Sequence, residues 1–350
     1  MTEAATTAPA IAPSGVSEHR LVPPPVWGER ITNADLALVP RPASEDLVVE
    51  YDFPGVEVGS AEYAEGPTGV TVVSVPGGAR MAIDARGGAI GMSNGYEYHA
   101  HAIALAGGSV YGLSAGSGVA DELRARNGNR GSIDELRLVS TAVVYDFAAR
   151  DNAVIPDAAL GRAAARLARH GRVPVGRVGA GATASAGKLN LHRCEYTGQG
   201  AGFREAGGVK VLVVTVVNPL GVIVDRDGTV LRGNYDAATG ERRRLESDYI
   251  AALEARAPTP TAHGNTTITA VVTNARLRDL ELVHFARQVH SSMNRAIQPF
   301  HTSFDGDTLF ALTTDEIGVG ETDDGELLSP VGIGALASEA AWDAVIGAVR

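Results

Sequence analysis

Val209 to Val217 is a nearly continuous apolar run, the pattern of a strand covered on both faces. Val70 to Val75 reads as another strand, closed by the Pro76-Gly77-Gly78 turn. Ile83 to Ile90 reads as a further strand, bulged at Gly87-Gly88. Leu138 to Tyr145, Thr266 to Thr273 and Thr308 to Leu312 have the same β-branched or apolar character. Gly221 to Leu231 reads as a hairpin with Asp227-Gly228 at its turn. Helical spacing takes over elsewhere. Leu113, Val119 and Leu123 recur within a helix over 112–126, which Asn127-Gly128 stops. Ala158 to His170 is an Ala/Arg helix ending at Gly171. Val283, Ala286, Val289, Met293 and Ile297 line one face of a helix over 280–297, and a last helix spans 334–349. Strands and helices mix in both halves without an internal repeat. A layered α/β sandwich accounts for this better than a regular βαβ series.

Residues 1–28 are rich in Ala, Thr and Pro and read as a flexible N-terminal arm ahead of a single domain over 29–350. Residues 234–263 form a charged, Pro-bearing surface connection. Composition narrows the function classes. The net charge is -11, which argues against nucleic-acid or anionic-membrane partners. The single cysteine, Cys194, excludes a disulfide framework and a Cys-based zinc site. Neither a membrane-spanning apolar run nor a secretory leader is evident, so the expected setting is soluble and cytoplasmic. Of 30 basic residues only Lys188 and Lys210 are lysine. A lysine kept in so Arg-biased a chain is a candidate for a role needing a compact, titratable ammonium.

The connection leads into Gly264-Asn265-Thr266-Thr267, at the start of a β-branched strand. A threonine hydroxyl is a poor nucleophile unless a base adjoins it. Cleavage before Thr266 would free an α-amine of reference pKa about 8 within the same residue. The stretch therefore reads either as a latent N-terminal nucleophile or as a turn before an ordinary strand, and two threonines compete for the first role. Downstream, Asp305 and Asp307 flank Gly306 on the same side of an extended backbone. Such a pair can hold an ammonium or hydroxyl and raise one member's pKa, or it can be a simple turn. Asn218, at the end of the buried strand, can donate to an oxyanion, and Tyr145 ends another strand. Gly112-Leu-Ser114-Ala-Gly116 matches a nucleophile elbow but lacks a clear preceding strand. Gly181 to Lys188 fails as a phosphate loop in spacing and in the residue after the lysine. His99 and His101 lack a third metal ligand.

The order of Lys188, Asn218-Pro219, Gly264-Asn265-Thr266-Thr267 and Phe304-Asp305-Gly306-Asp307 resembles the L-aminopeptidase/D-Ala-esterase/amidase superfamily of self-processing hydrolases. Within it the chain is similar to the 6-aminohexanoate-oligomer hydrolases, or nylon hydrolases. Tyr51-Asp-Phe-Pro-Gly, Asp84-Ala-Arg-Gly-Gly, Gln288-Val-His-Ser-Ser-Met and Gln298-Pro-Phe-His-Thr extend the likeness over about 51–350. The resemblance implies a four-layer αββα sandwich of N-terminal-nucleophile-hydrolase type. It implies self-cleavage between Asn265 and Thr266 into chains 1–265 and 266–350 that stay associated, and a homo-oligomer, commonly a tetramer. It implies Thr266 as nucleophile, with Lys188, Asn218, Asp305 and Asp307 as catalytic partners, Tyr145 on the substrate side, and no metal or organic cofactor. The β-aminopeptidase members carry Ser as nucleophile, and Ser and Glu where this chain has Asp305 and Asp307, so the Thr and the Asp pair favour the nylon-hydrolase branch. A β-aminopeptidase or peptide amidase, and an uncleaved ligand-binding protein, are the alternatives.

Overall fold

The computed structural model describes residues 20–96, 98–257, 264–318, 321–322, 325–326 and 329–350. Residues 1–19 of the expected arm and 258–263 of the charged connection lie outside them. The main elements are strands β1 (Glu57–Tyr63), β2 (Thr68–Ala85) and β3 (His99–Ala106), helix α1 (Ser114–Arg126), β4 (Val139–Val143), α2 (Ala158–Leu167), β5 (Gln199–Ala206), β6 (Val209–Asn218), α3 (Leu245–Glu254), β7 (Thr266–Arg276), α4 (Asp279–Ser292), β8 (Thr308–Gly318) and α5 (Pro330–Gly347).

One strand ties two sheet layers together. The first half of β2 pairs with β1 and β3, its last residues pair with β8, and the Pro76-Gly77-Gly78 segment, expected as a closing turn, is instead a register irregularity between Ser74 and Ala79 within one continuous strand. On one side the order runs β5-β6-β7-β8, and on the other β3 and β4 follow. The β7–β8 and β3–β4 pairs are parallel. Val73, Ile103 and Leu105 from one layer meet Leu212, Val214, Val272 and Phe310 from the other in a single buried cluster. Alternation along β6 sends Leu212 and Val214 into this interior while Val211 and Val213 face the opposite way, onto α4 and α5. Helices α1 and α2 cover the other outer face through Val119, Leu160 and Ala164. The architecture is thus the four-layer αββα sandwich, and each such aliphatic side chain contributes about 1.5–3 kcal/mol by leaving water.

The local differences from the sequence reading have physical causes. The strand expected over 83–90 ends at Ala85. Beyond it, Arg86 N–H and Ala89 N–H bond to the carbonyls of Asp307 and Asp305 at 2.7 and 3.0 Å, so this segment braces the acidic turn. Helix α4 stops at Ser292 and tightens into a short 3-10 turn. Strand β3, His-Ala-His-Ala-Ile-Ala-Leu-Ala, escaped detection because alanine carries little strand preference; packing between layers decides it. Part of the expected arm is tied down: Leu21 bridges Glu195, and Val22 N–H donates to the Cys194 carbonyl at 2.9 Å. Among the described residues no helix is long and apolar enough to cross a membrane.

Candidate active site

Three strand ends meet where β7 begins. In the antiparallel β6–β7 pair, Asn218 lies opposite Thr266. One residue earlier, Asn265 forms a parallel bridge with Asp305, just before β8. This register brings together residues from three distant parts of the sequence. Asn265, Asn218, Asp305 and Asp307 are fully buried, and Thr266 is nearly so.

The Asn265–Thr266 junction is held from both sides. Gly306 N–H donates to the Asn265 carbonyl oxygen at 2.8 Å. The Thr266 Oγ1 hydroxyl donates to the same oxygen in a very close contact. A hydroxyl, the carbonyl before it and a backbone donor polarising that carbonyl are therefore adjacent. Gly306 permits the approach: a Cβ there would lie 2.9 Å from Thr266 Oγ1 and would overlap the Ala89 carbonyl. Gly306→Ala is accordingly expected to slow any cleavage at this junction at least about 100-fold, the scale of losing one oxyanion donor. A time course on a denaturing gel measures it. Gly264 is constrained differently. Its φ is +88°, in the left-handed region, and the Tyr145 ring packs where its Cβ would stand. Burial pushes the Tyr145 phenol up.

Lys188 is delivered by the Gly-rich loop that resembles a phosphate cradle. It is buried, and Nζ donates to the Asn218 main-chain oxygen at 2.9 Å and to Oδ1 at 2.7 Å. Ser185 N–H also donates to Oδ1, at 3.0 Å. With its oxygen so occupied, the Asn218 amide must present Nδ2 to the junction. Nδ2 bonds the carbonyls of Tyr145 and Gly264 at 3.1 and 3.3 Å. Asn218 thus grips the Gly264 carbonyl, and Gly306 holds that of Asn265. Burial lowers the Lys188 ammonium to about 8, against the opposing pull of Cys194, Asp305, Asp146 and Asp307.

The two carboxylates hold the frame around Thr266 and make no hydrogen bond to its hydroxyl. Asp307 Oδ1 accepts Thr267 N–H at 2.6 Å, and Oδ2 accepts His301 N–H at 3.0 Å and pairs with His301 Nδ1 at 2.9 Å. Asp305 Oδ1 accepts Leu220 N–H at 3.1 Å, and Oδ2 accepts the Thr302 N–H at 3.1 Å and its hydroxyl. Burial first, and then the charge of Asp307, raise Asp305 to about 6. An apolar cavity of about 350 Å³, lined by Leu245, Tyr249, Ile250 and Pro299 among others, abuts this corner. Its Gln298-Pro299 wall packs on Gly221, next to the Leu220 amide that binds Asp305.

Tyr145, Lys188, Asn218, Asn265, Thr266, Asp305 and Asp307, the seven residues that the family resemblance implies for the site, gather here. Gly306 N–H, His301 and Thr302 were missed. A backbone donor leaves no compositional trace, and the left-handed turn at His301 (φ 58°) that points its ring at Asp307 has no glycine or asparagine to announce it. Ser114 lies elsewhere, its hydroxyl spent on the Tyr111 and Pro156 carbonyls. His101 contacts Arg137 at 3.0 Å and lies against His99, away from this junction. Among the described residues no group of three or more His, Cys, Asp or Glu side chains converges as metal ligands would.

Comparisons with known proteins place these features in context. The model for peptidase family S58 matches residues 51–350. A 6-aminohexanoate-oligomer endohydrolase of Paenarthrobacter ureafaciens is 56% identical over 334 residues, covering 94% of this chain and 93% of that protein. One from a Kocuria strain is 55% identical, covering 95% and 94%. Among solved structures, the L-aminopeptidase D-Ala-esterase/amidase of Ochrobactrum anthropi superposes with a TM-score of 0.57 at 16% identity, covering 84% of this chain and 83% of that one, which establishes a shared fold.

Proposed function

The chain belongs to peptidase family S58, and from that premise we propose that it is an amide hydrolase that cuts 6-aminohexanoate oligomers with Thr266 as an N-terminal nucleophile made by self-cleavage. The observation that carries this reading is the Thr266 hydroxyl set against the Asn265 carbonyl while Gly306 N–H holds the same oxygen. In maturation, Oγ1 bonds to the Asn265 carbonyl carbon and the C–N bond to Thr266 breaks. The hydroxyl proton goes to the departing nitrogen, which becomes the α-amine. Water then hydrolyses the ester, releasing the Asn265 carboxylate and restoring the hydroxyl.

Turnover repeats the chemistry on a substrate amide. The α-amine takes the hydroxyl proton and returns it to the leaving amine, and water releases the acyl group. Once Gly264 withdraws, the Asn218 Nδ2 that held its carbonyl is free to stabilise the substrate oxyanion. The Lys188 charge favours the developing negative charge. The Asp305–Asp307 pair orients the strand that carries Thr266, and Tyr145 lines the substrate side. The relatives' substrate has five methylenes between amine and carboxyl, and the apolar cavity beside Asp305 suits such a spacer. Assaying 6-aminohexanoate oligomers against β-amino-acid amides tests the substrate class; faster turnover of the latter would overturn it in favour of a β-aminopeptidase.

Lys188 acts here as a cation and Asp305 as an anion, which sets the pH dependence of maturation. Below about 6 Asp305 takes up a proton, and above about 8 Lys188 loses one. The processing rate is expected to be bell-shaped with limbs near those values, falling about tenfold per pH unit outside them. Refolding the denatured full-length chain into buffers of graded pH and quantifying cleavage checks this. The same reading expects a homotetramer of processed units in the cytoplasm, tested by native mass measurement and cell fractionation.

A further inference from the structure

The two carboxylates are equally buried but differently partnered, and the difference assigns their roles. Asp307 has three partners. Two are backbone N–H groups, of Thr267 and His301, which can only donate. The third is His301 Nδ1; the ring's Nε2 is buried with no hydrogen-bond partner among the described residues, so the ring proton is best placed on Nδ1, where it has Asp307 to donate to. The ring is fixed in that role. It stacks on Phe300, with centroids 3.8 Å apart, and stands edge-on to His290 at 4.3 Å. The left-handed backbone at His301 aims both its main-chain N–H and its ring at one oxygen. A proton on Asp307 would have to displace a donor that has nowhere else to point.

Asp305 is different. Two of its partners are backbone N–H groups, but the third is the Thr302 hydroxyl on Oδ2. A hydroxyl can rotate from donor to acceptor. When Oδ2 takes a proton, Thr302 can accept it without loss of the contact. The hydrogen-bond pattern thus offers the pair's proton one place only.

We infer that the pair is divided by its hydrogen bonds: Asp307 is kept as the carboxylate by His301, and Asp305 receives the pair's proton with Thr302 turning to accept it. His301 and Thr302 are positioning residues for the proposed site. The charged and titratable groups facing this arrangement are consistent with it. His290 Nδ1 bonds Asp84 at 2.9 Å, and Arg86 bonds the same carboxylate at 2.8 Å. Burial lowers His290 to about 4, so His301 faces a neutral ring and not a second cation. Lys188 and Tyr249 are further ionisable side chains whose fields reach Asp305.

The inference rests on the proposed function for its catalytic meaning, but its test does not depend on activity. The full-length Thr266→Ala chain keeps both carboxylates, and its carboxylic-acid infrared band can be followed against pH. A band titrating near 6 is expected. Adding Asp305→Asn should abolish it; adding Asp307→Asn should leave it, displaced to lower pH by loss of the neighbouring charge. A band that survives Asp305→Asn, or vanishes in Asp307→Asn, would overturn the assignment. His301→Ala should add a second protonated carboxyl or move the midpoint up by about one unit. His301→Asn, which tolerates the same backbone and places an N–H where Nδ1 stood, should restore the parent titration. An unchanged titration in His301→Ala, or a shift of equal size in His301→Asn, would remove His301 from the role. If the Thr266 hydrolase reading fails, these titrations are unaffected, so the two failures are distinguishable.

Discussion

Thr266→Ala is expected to give one uncleaved 350-residue chain with no measurable amide hydrolysis. The substitution removes the hydroxyl that lies against the Asn265 carbonyl and leaves the Gly306 donor in place. Losing the nucleophile of a cooperating set costs on the order of 10⁴-fold or more, and here it strikes twice. In the proposed turnover the base is an α-amine that exists only after cleavage. The competing reading, with Thr267 as nucleophile, predicts a different pattern. Thr267 points to the other side of β7, and its hydroxyl is buried with no hydrogen-bond partner among the described residues. Thr267→Val keeps the shape and gives up no hydrogen bond, so it should process normally and retain activity within about threefold. Intact-mass measurement of both variants decides the matter. A Thr266→Ala chain that still yields the two fragments, or hydrolyses substrate at the parent rate, would eliminate the mechanism.

The sequence disclosed this site unevenly. Asn265-Thr266 and Asp305-Gly306-Asp307 stood out because turn formers and charges beside apolar strands are legible locally. The buried run ending at Asn218 was legible for the same reason. That Asn218 would lie opposite Thr266, and Asn265 beside Asp305, was not, because strand register is set by pairings between segments 40 or more residues apart. The resemblance to a known family supplied that link. Lys188 drew notice as a rare lysine, yet its partner is the Asn218 amide rather than a carboxylate, which composition could not reveal. His301 passed unnoticed within a quoted motif because its role depends on one left-handed backbone angle. The layered architecture was legible from alternating strand and helix patterns. The double service of β2, bridging two sheet layers, was hidden because its first and second halves read as separate strands.

Lys188→Met is expected to lower processing and hydrolysis by about 10²–10⁴-fold while leaving the melting temperature within a few degrees of the parent, a combination that an ordinary structural lysine would not show. Two opposing terms set the stability. Burial holds the ammonium at about 8, well below an exposed lysine, so at neutral pH the native state carries a penalised charge. The displacement corresponds to roughly 3 kcal/mol that the neutral side chain no longer costs. Against it, Met leaves the Asn218 main-chain oxygen and Oδ1 without their Nζ donor. Oδ1 keeps Ser185 N–H, so the loss is one donor at each oxygen, about 1–3 kcal/mol each at most. The terms nearly cancel. Their pH dependence separates them. Between about 8 and the ordinary lysine value near 10.4 the unfolded chain binds a proton at this position that the folded chain has released, so the parent gains stability as pH rises through that window. Lys188→Met removes the gain, so a variant about as stable as the parent at pH 7 should be the less stable of the two by pH 10. Denaturant unfolding of both chains at pH 7 and pH 10, set beside the processing assay, measures it. Parent-like processing in Lys188→Met would remove the cation from the mechanism, and a stability difference independent of pH would show that the ammonium is not penalised by burial.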